Sequence, residues 1–108
     1  MPNADLLGVF EQLILMALVH LKDQAYGVTV RREVEERTGR SVSMGAVYAT
    51  LDRLEKKGYV SSFQGEPTPE RGGRAKRFFR IERPGSLALQ QSLQTVKDMS
   101  RGLKWALP

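Results

Sequence analysis

At Gly58 the spacing of apolar residues along the chain changes, and that change limits the folds open to it. Before Gly58, Met44, Val47, Leu51 and Leu54 recur at helical intervals and form one stripe. After it, Tyr59-Val60-Ser61-Ser62-Phe63 and Ala75–Ile81 are rich in β-branched and aromatic residues, as strands are. Between them lies Gly65-Glu66-Pro67-Thr68-Pro69-Glu70-Arg71-Gly72-Gly73, a turn-forming stretch. The pattern predicts helices first, then a β-hairpin with a long tip.

Three helices are expected before the hairpin. Residues from about 8 to 21 are apolar except for Glu11, Gln12 and His20. A helix apolar on most of its circumference is buried on most sides. In so small a protein, that points to a partner subunit covering the second side. The run Leu13–Val19 falls far short of the ~20 residues that span a bilayer. The N-terminus lacks a basic n-region, and Asp5 and Glu11 interrupt the approach to the apolar run, so no signal peptide or membrane partner is expected. A second helix is expected over Tyr26–Thr38, with Val30 and Val34 inward and Gly39 as its stop. A third begins at Ser43, a plausible N-cap, and runs to about Lys57.

The last segment starts near Pro84-Gly85-Ser86. Leu89, Leu93, Val96, Ser100, Leu103 and Leu107 alternate spacings of four and three, a short heptad seam broken by Ser100. Such a helix would run ~35 Å at 1.5 Å per residue.

With 108 residues the chain has room for one domain that folds without staples. It has no cysteine, which excludes disulfides, thiolate metal sites and thiol catalysis and suits the reducing cytoplasm. Its single histidine, His20, is read as a helix-end residue, since a metal site needs several converging ligands. No Ser-centred elbow, phosphate-binding glycine loop or paired carboxylate motif is present, so neither a catalytic site, nor a metal, nor a cofactor is expected. The formal charge of +5 suits a polyanionic partner, either nucleic acid or an anionic membrane.

The order helix, helix, helix, hairpin, helix separates these partners. A short turn joins the second and third helices, as in a helix-turn-helix, and a two-stranded ribbon follows. That is the winged-helix arrangement, in which the third helix enters the major groove of duplex DNA. The fold class is therefore mainly α with a small β-hairpin: a winged helix-turn-helix over residues 1–82, then a C-terminal dimerisation helix over 83–108. From Arg71 to Arg83 the cations are Arg71, Arg74, Lys76, Arg77, Arg80 and Arg83, against one acid, Glu82. Cations on a hairpin match phosphate spacing and gain affinity by counterion release. A charged edge strand that merely resists aggregation is the alternative, and it loses behind a helix-turn-helix. On the third helix, Gly45, Ala46 and Ala49 are small enough for close approach to base edges, with Ala46 or Ala49 against a thymine methyl, while Arg53, Lys56 and Lys57 reach phosphates. Asp52 counts against that face. Gly45 and Ala49 packing on another helix is the plainer reading.

At these residues the chain resembles the PadR family of bacterial transcriptional regulators. Tyr26-Gly27-Val28-Thr29-Val30 is similar to the family's opening of its second helix. Ser43–Val60, with Tyr48 followed by Leu51, Leu54, Glu55 and Gly58, resembles its recognition-helix motif. Gly72-Gly73-Arg74-Ala75-Lys76-Arg77-Phe78-Phe79-Arg80-Ile81 is similar to its wing motif. The likeness spans about residues 9–100. It implies a homodimer that represses genes by occupying an operator. It implies DNA contacts from Tyr48 and its neighbours, and from Arg74 and Lys76. It also implies a dimer interface between the first and last helices. Phe78 and Phe79 stand where the family has tyrosines, so a hydroxyl contact there is absent, and Glu82-Arg83-Pro84-Gly85 departs from the usual start of the last helix.

The expected DNA-binding residues are thus Ser43, Ala46, Tyr48, Ala49, Arg53, Arg71, Arg74 and Lys76. The expected dimer residues are Leu13, Met16, Leu89, Leu93, Val96 and Leu103. Trp105 is read as a hydrophobic anchor at that interface, with stacking of a flat effector as its alternative. The functional expectation is an operator-binding, homodimeric repressor on double-stranded DNA, with a small hydrophobic effector as the candidate for releasing it. The rival is a winged-helix protein-interaction module without specific DNA binding, and the concentrated basic hairpin argues against it.

Overall fold

The computed structural model describes residues 6–67 and 75–105. Helix α1 (Val9–Leu21) is followed by a single 3-10 turn, Lys22–Gln24. Next come α2 (Gly27–Thr38), α3 (Met44–Lys56), strands β1 (Val60–Pro67) and β2 (Ala75–Ile81), and α4 (Arg83–Ser100). The strands form one antiparallel hairpin with Val60 opposite Ile81 and Gln64 opposite Arg77. The register shifts between Gln64 and Pro67, so β1 runs on into Gly65-Glu66-Pro67, which the sequence reading assigned to the turn. A bulge accommodates this, because an extra residue bends a strand without ending its pairing.

Local chemistry sets the helix ends. Ser43 Oγ accepts from the Ala46 backbone N–H at 3.0 Å and caps α3. Thr29 Oγ1 accepts from the Tyr26 N–H at 3.0 Å at the start of α2. Gly39 ends α2 in the left-handed region at φ 72°, where a glycine carries no Cβ penalty.

Helix α1 is the hub of the core. Ile14, Leu15, Ala17 and Leu18 are buried against α2, α3, α4 and β2 together. Four elements of its own protomer therefore account for most of the apolar circumference that suggested a partner subunit. Val30 and Val34 from α2, Val47, Leu51 and Leu54 from α3, Val60 from β1, Phe79 from β2, and Ala88 and Leu89 from α4 join them in the core.

Helix α4 packs through its small residues. Gly85, Ala88, Leu89 and Ser92 are buried, and every residue from Leu93 to Trp105 is exposed. Ser92 Oγ accepts from the Leu7 N–H at 3.1 Å, and Gln12 Nε2 donates to the Leu7 carbonyl at 2.9 Å, which pins the chain ahead of α1 to α4. A Cβ on Gly85 would stand 2.2 Å from the Tyr59 carbonyl oxygen, so only glycine permits this approach. The helix ends at Ser100, with Arg101 extended and Gly102 at φ 88°. It is shorter than the heptad pattern suggested, and Leu103 lies beyond its end. Leu107 falls outside the described residues.

Candidate nucleic-acid interface

Helix α3 divides cleanly by burial. Val47, Thr50, Leu51 and Leu54 face the core, whereas Gly45, Ala46, Ala49, Asp52 and Arg53 are exposed. The half-buried Met44 closes the inner stripe at its first turn. The outward face is therefore small-residued in its first half and charged in its second.

Tyr48 is 40% exposed, and its ring lies across the first turn of α2. A Cβ built on Gly27 would come within 2.3 Å of the Tyr48 hydroxyl. The glycine of the Tyr26-Gly27 motif and the tyrosine of the α3 motif thus form one packing unit. This pairing joins two motifs that the sequence shows only separately.

Arg53 is exposed yet engaged. Its Nε donates to Glu11 Oε2 at 3.2 Å, and Lys57 Nζ approaches the same oxygen at 3.3 Å. The Gly8 backbone N–H donates to Glu11 Oε1 at 3.0 Å. Burial alone would raise the Glu11 pKa. The Gly8 hydrogen bond and the Arg53 and Lys57 cations outweigh it, and the carboxyl is held below its usual range. Glu11 was not singled out from sequence, where it read only as an interruption of an apolar helix.

The hairpin brings its own cations. Lys76 Nζ sits 5.0 Å from the centre of the Tyr26 ring, and the Arg80 guanidinium 4.5 Å from that of Phe63. Phe78 packs edge-on against Tyr26 and stacks on Phe63, so its missing hydroxyl is replaced by an aromatic cluster. Arg77 reaches Asp52 Oδ1 at 3.3 Å and Glu55 Oε1 at 2.5 Å on α3. Arg71 and Arg74 lie outside the described residues.

The expected dimer residues split. Leu93 and Val96 on α4 are exposed, as is Leu103, and Leu13 and Met16 on α1 are half-buried. Leu89, expected in the same seam, is only 6% exposed and belongs to the protomer's own core, because α4 docks through its small face. Trp105 is exposed. His20 is exposed in the last turn of α1.

A groove of about 450 Å³ runs between the end of α1 and the hairpin. Leu18, Val19, Phe63, Phe79 and Ile81 form its apolar walls, and Lys22, Asp23 and Arg80 complete its lining. Among the described residues, no cluster of three or more His, Cys, Asp or Glu side chains is placed to hold a metal ion. Nor is any described helix long and apolar enough to cross a membrane.

Three helices, a two-stranded wing and a further helix define a winged-helix fold, mainly α with a small β-hairpin. The model of the transcriptional regulator PadR-like family matches residues 15–91, and the chain belongs to that family. A protein of Lysinibacillus sphaericus is 29% identical over 93 residues, covering 84% of this chain and 82% of its own. A complex of RosR, a protein of H. salinarum, superposes with a TM-score of 0.68 at 27% identity, covering 94% of this chain and 80% of that one. A PadR family transcription regulator from Clostridium difficile gives a TM-score of 0.68 at 24% identity, over 86% of this chain and 95% of its own.

Proposed function

We propose that this regulator is a repressor that binds a pseudo-palindromic operator in double-stranded DNA as a homodimer, in the cytoplasm. The observation that carries the reading is the outward face of α3. Gly45, Ala46 and Ala49 are exposed and small at the end capped by Ser43, with Tyr48 beside them. Such a face admits base edges closely, and the helix N-terminus favours phosphate. Tyr48, Ser43 and Arg53 serve as backbone contacts, Ala46 and Ala49 as base contacts, and Arg71, Arg74 and Lys76 as phosphate contacts from the wing.

The homodimer is supported by Leu93, Val96 and Met99, a run of large apolar side chains exposed on α4. We assign residues 83–108 to dimerisation and 1–82 to DNA binding. Two-fold symmetry then places half-sites roughly 34 Å apart. A small hydrophobic effector releases the operator, and thermal-shift screening with planar apolar compounds tests that step.

The DNA reading is tested by fluorescence anisotropy with duplex from upstream of the protein's own gene, against scrambled duplex, over a salt series. Sequence-preferring, salt-sensitive binding is expected. No binding to either duplex at low salt overturns the reading and favours a protein-interaction module.

A further inference from the structure

We propose that Arg77 is a positioning residue that clasps the wing to α3 and cancels the two carboxylates α3 would otherwise hold beside the DNA backbone. The proposal rests on the DNA-binding reading above. In the sequence Arg77 is one of several cations on a basic hairpin, all suited to phosphate. The geometry separates it from the others.

Side chains alternate across a strand, so Arg77 shares a side of β2 with Phe79 and Ile81, and Lys76 shares the other with Phe78 and Arg80. Phe79 is buried, and the Arg77 guanidinium lies 4.7 Å over its ring centre. That platform aims the fork at α3, where it meets Asp52 and Glu55 together. The second oxygen of Glu55 accepts from Ser62 Oγ of β1 at 2.7 Å. One carboxylate and one guanidinium therefore join α3 to both strands of the wing.

All three ionic side chains are partly exposed, so the clasp adds little to stability. Its effect is on geometry and charge. It fixes where the wing stands relative to α3. It also explains how the exposed face of α3 tolerates Asp52. Without Arg77, two uncompensated carboxylates would face a polyanion, and like-charge juxtaposition weakens association.

A rescue experiment distinguishes cancellation of the two carboxylates from direct phosphate contact, and the hydrogen exchange described after it tests positioning. Wild type, Arg77→Gln and the triple variant Asp52→Asn/Glu55→Gln/Arg77→Gln are compared by duplex anisotropy over a salt series, with far-UV circular dichroism checking each fold. Arg77→Gln is expected to weaken binding roughly tenfold. The triple variant should recover to within about threefold of wild type and keep the wild-type salt slope. A triple variant as weak as Arg77→Gln, with a slope shallower by about 0.9, would make Arg77 a phosphate contact and overturn the proposal.

Amide hydrogen exchange of the DNA-free protein judges the clasp even if wild type binds no duplex, an outcome that would sink only the DNA reading. Arg77→Gln should speed exchange in Val60–Gln64 about threefold or more relative to wild type. Unchanged exchange there would show that Arg77 does not hold the wing.

Discussion

Replacing Glu11 with glutamine should destabilise the protein near neutral pH and do so less and less as the pH falls. Glu11 is buried on α1, and its carboxylate takes three donors: the Gly8 N–H at 3.0 Å, Arg53 at 3.2 Å and Lys57 at 3.3 Å. A glutamine retains an acceptor for Gly8 and loses the charge that attracts the two cations. Arg53 and Lys57 are partly open to water, so each pair is worth roughly 0.2–1 kcal/mol, and the total loss is about 1 kcal/mol. For a domain of this size that lowers Tm by roughly 5 °C. The folded-state pKa of Glu11 lies below its reference value of 4.5, so the native state binds fewer protons than the unfolded state. The stabilisation is complete above that reference value and disappears as pH falls through the lower folded-state pKa. Urea unfolding of wild type and Glu11→Gln at pH 7, 5, 4 and 3 reads this as a gap in midpoint that closes with acid. A gap that stays constant from pH 7 to 3 would refute the ion-pair account and leave only a packing effect.

Three further perturbations follow from the packing. Gly85→Ala drives a methyl into the Tyr59 carbonyl, 2.2 Å from where its Cβ would stand, so a loss of about 3 kcal/mol is expected in chemical denaturation. Ser43→Ala removes the α3 cap and should cost about 1 kcal/mol by the same assay, with duplex affinity falling as the first turn frays. Val96→Glu places a charge on an exposed apolar stretch of α4, 57% accessible in the protomer. Sedimentation velocity should show the dimer giving way to a folded monomer, and an unchanged dimer would move the interface elsewhere.

Much of the fold was legible because its signals are local. The stripe of α3, the Ser43 cap, Gly39 and the change of period at Gly58 each act within a few residues of chain, and the boundaries of α2 and α3 and the start of β1 followed them closely. The heptad seam was misleading for a different reason. Leu89 and Leu93 share one spacing rule, yet α4 docks through Gly85, Ala88 and Ser92, and periodicity ranks residues by hydrophobicity when close helix packing selects for smallness. The end of α4 at Ser100 was likewise missed, because the spacing of Leu103 carried the expected helix past Arg101, which is extended, and Gly102, which has a positive φ. At the candidate site, the exposed small residues of α3 could be named from helical geometry alone. The Glu11–Arg53–Lys57 cluster, the Gly27–Tyr48 contact and the Arg77 clasp could not. Each joins residues distant in sequence, and nothing in local pattern says which acid a given arginine meets.

The central claim is that the exposed small face of α3 meets DNA, and Ala49→Glu tests it most directly. Ala49 is exposed, so glutamate there should leave the fold intact at a helix-propensity cost of only a few tenths of a kcal/mol. Measured by anisotropy against the upstream duplex, the variant should keep the wild-type circular dichroism and lose duplex affinity by roughly a hundredfold, since a carboxylate would be buried against the bases. A folded Ala49→Glu protein that binds the duplex as tightly as wild type would contradict the claim and move the interface off α3.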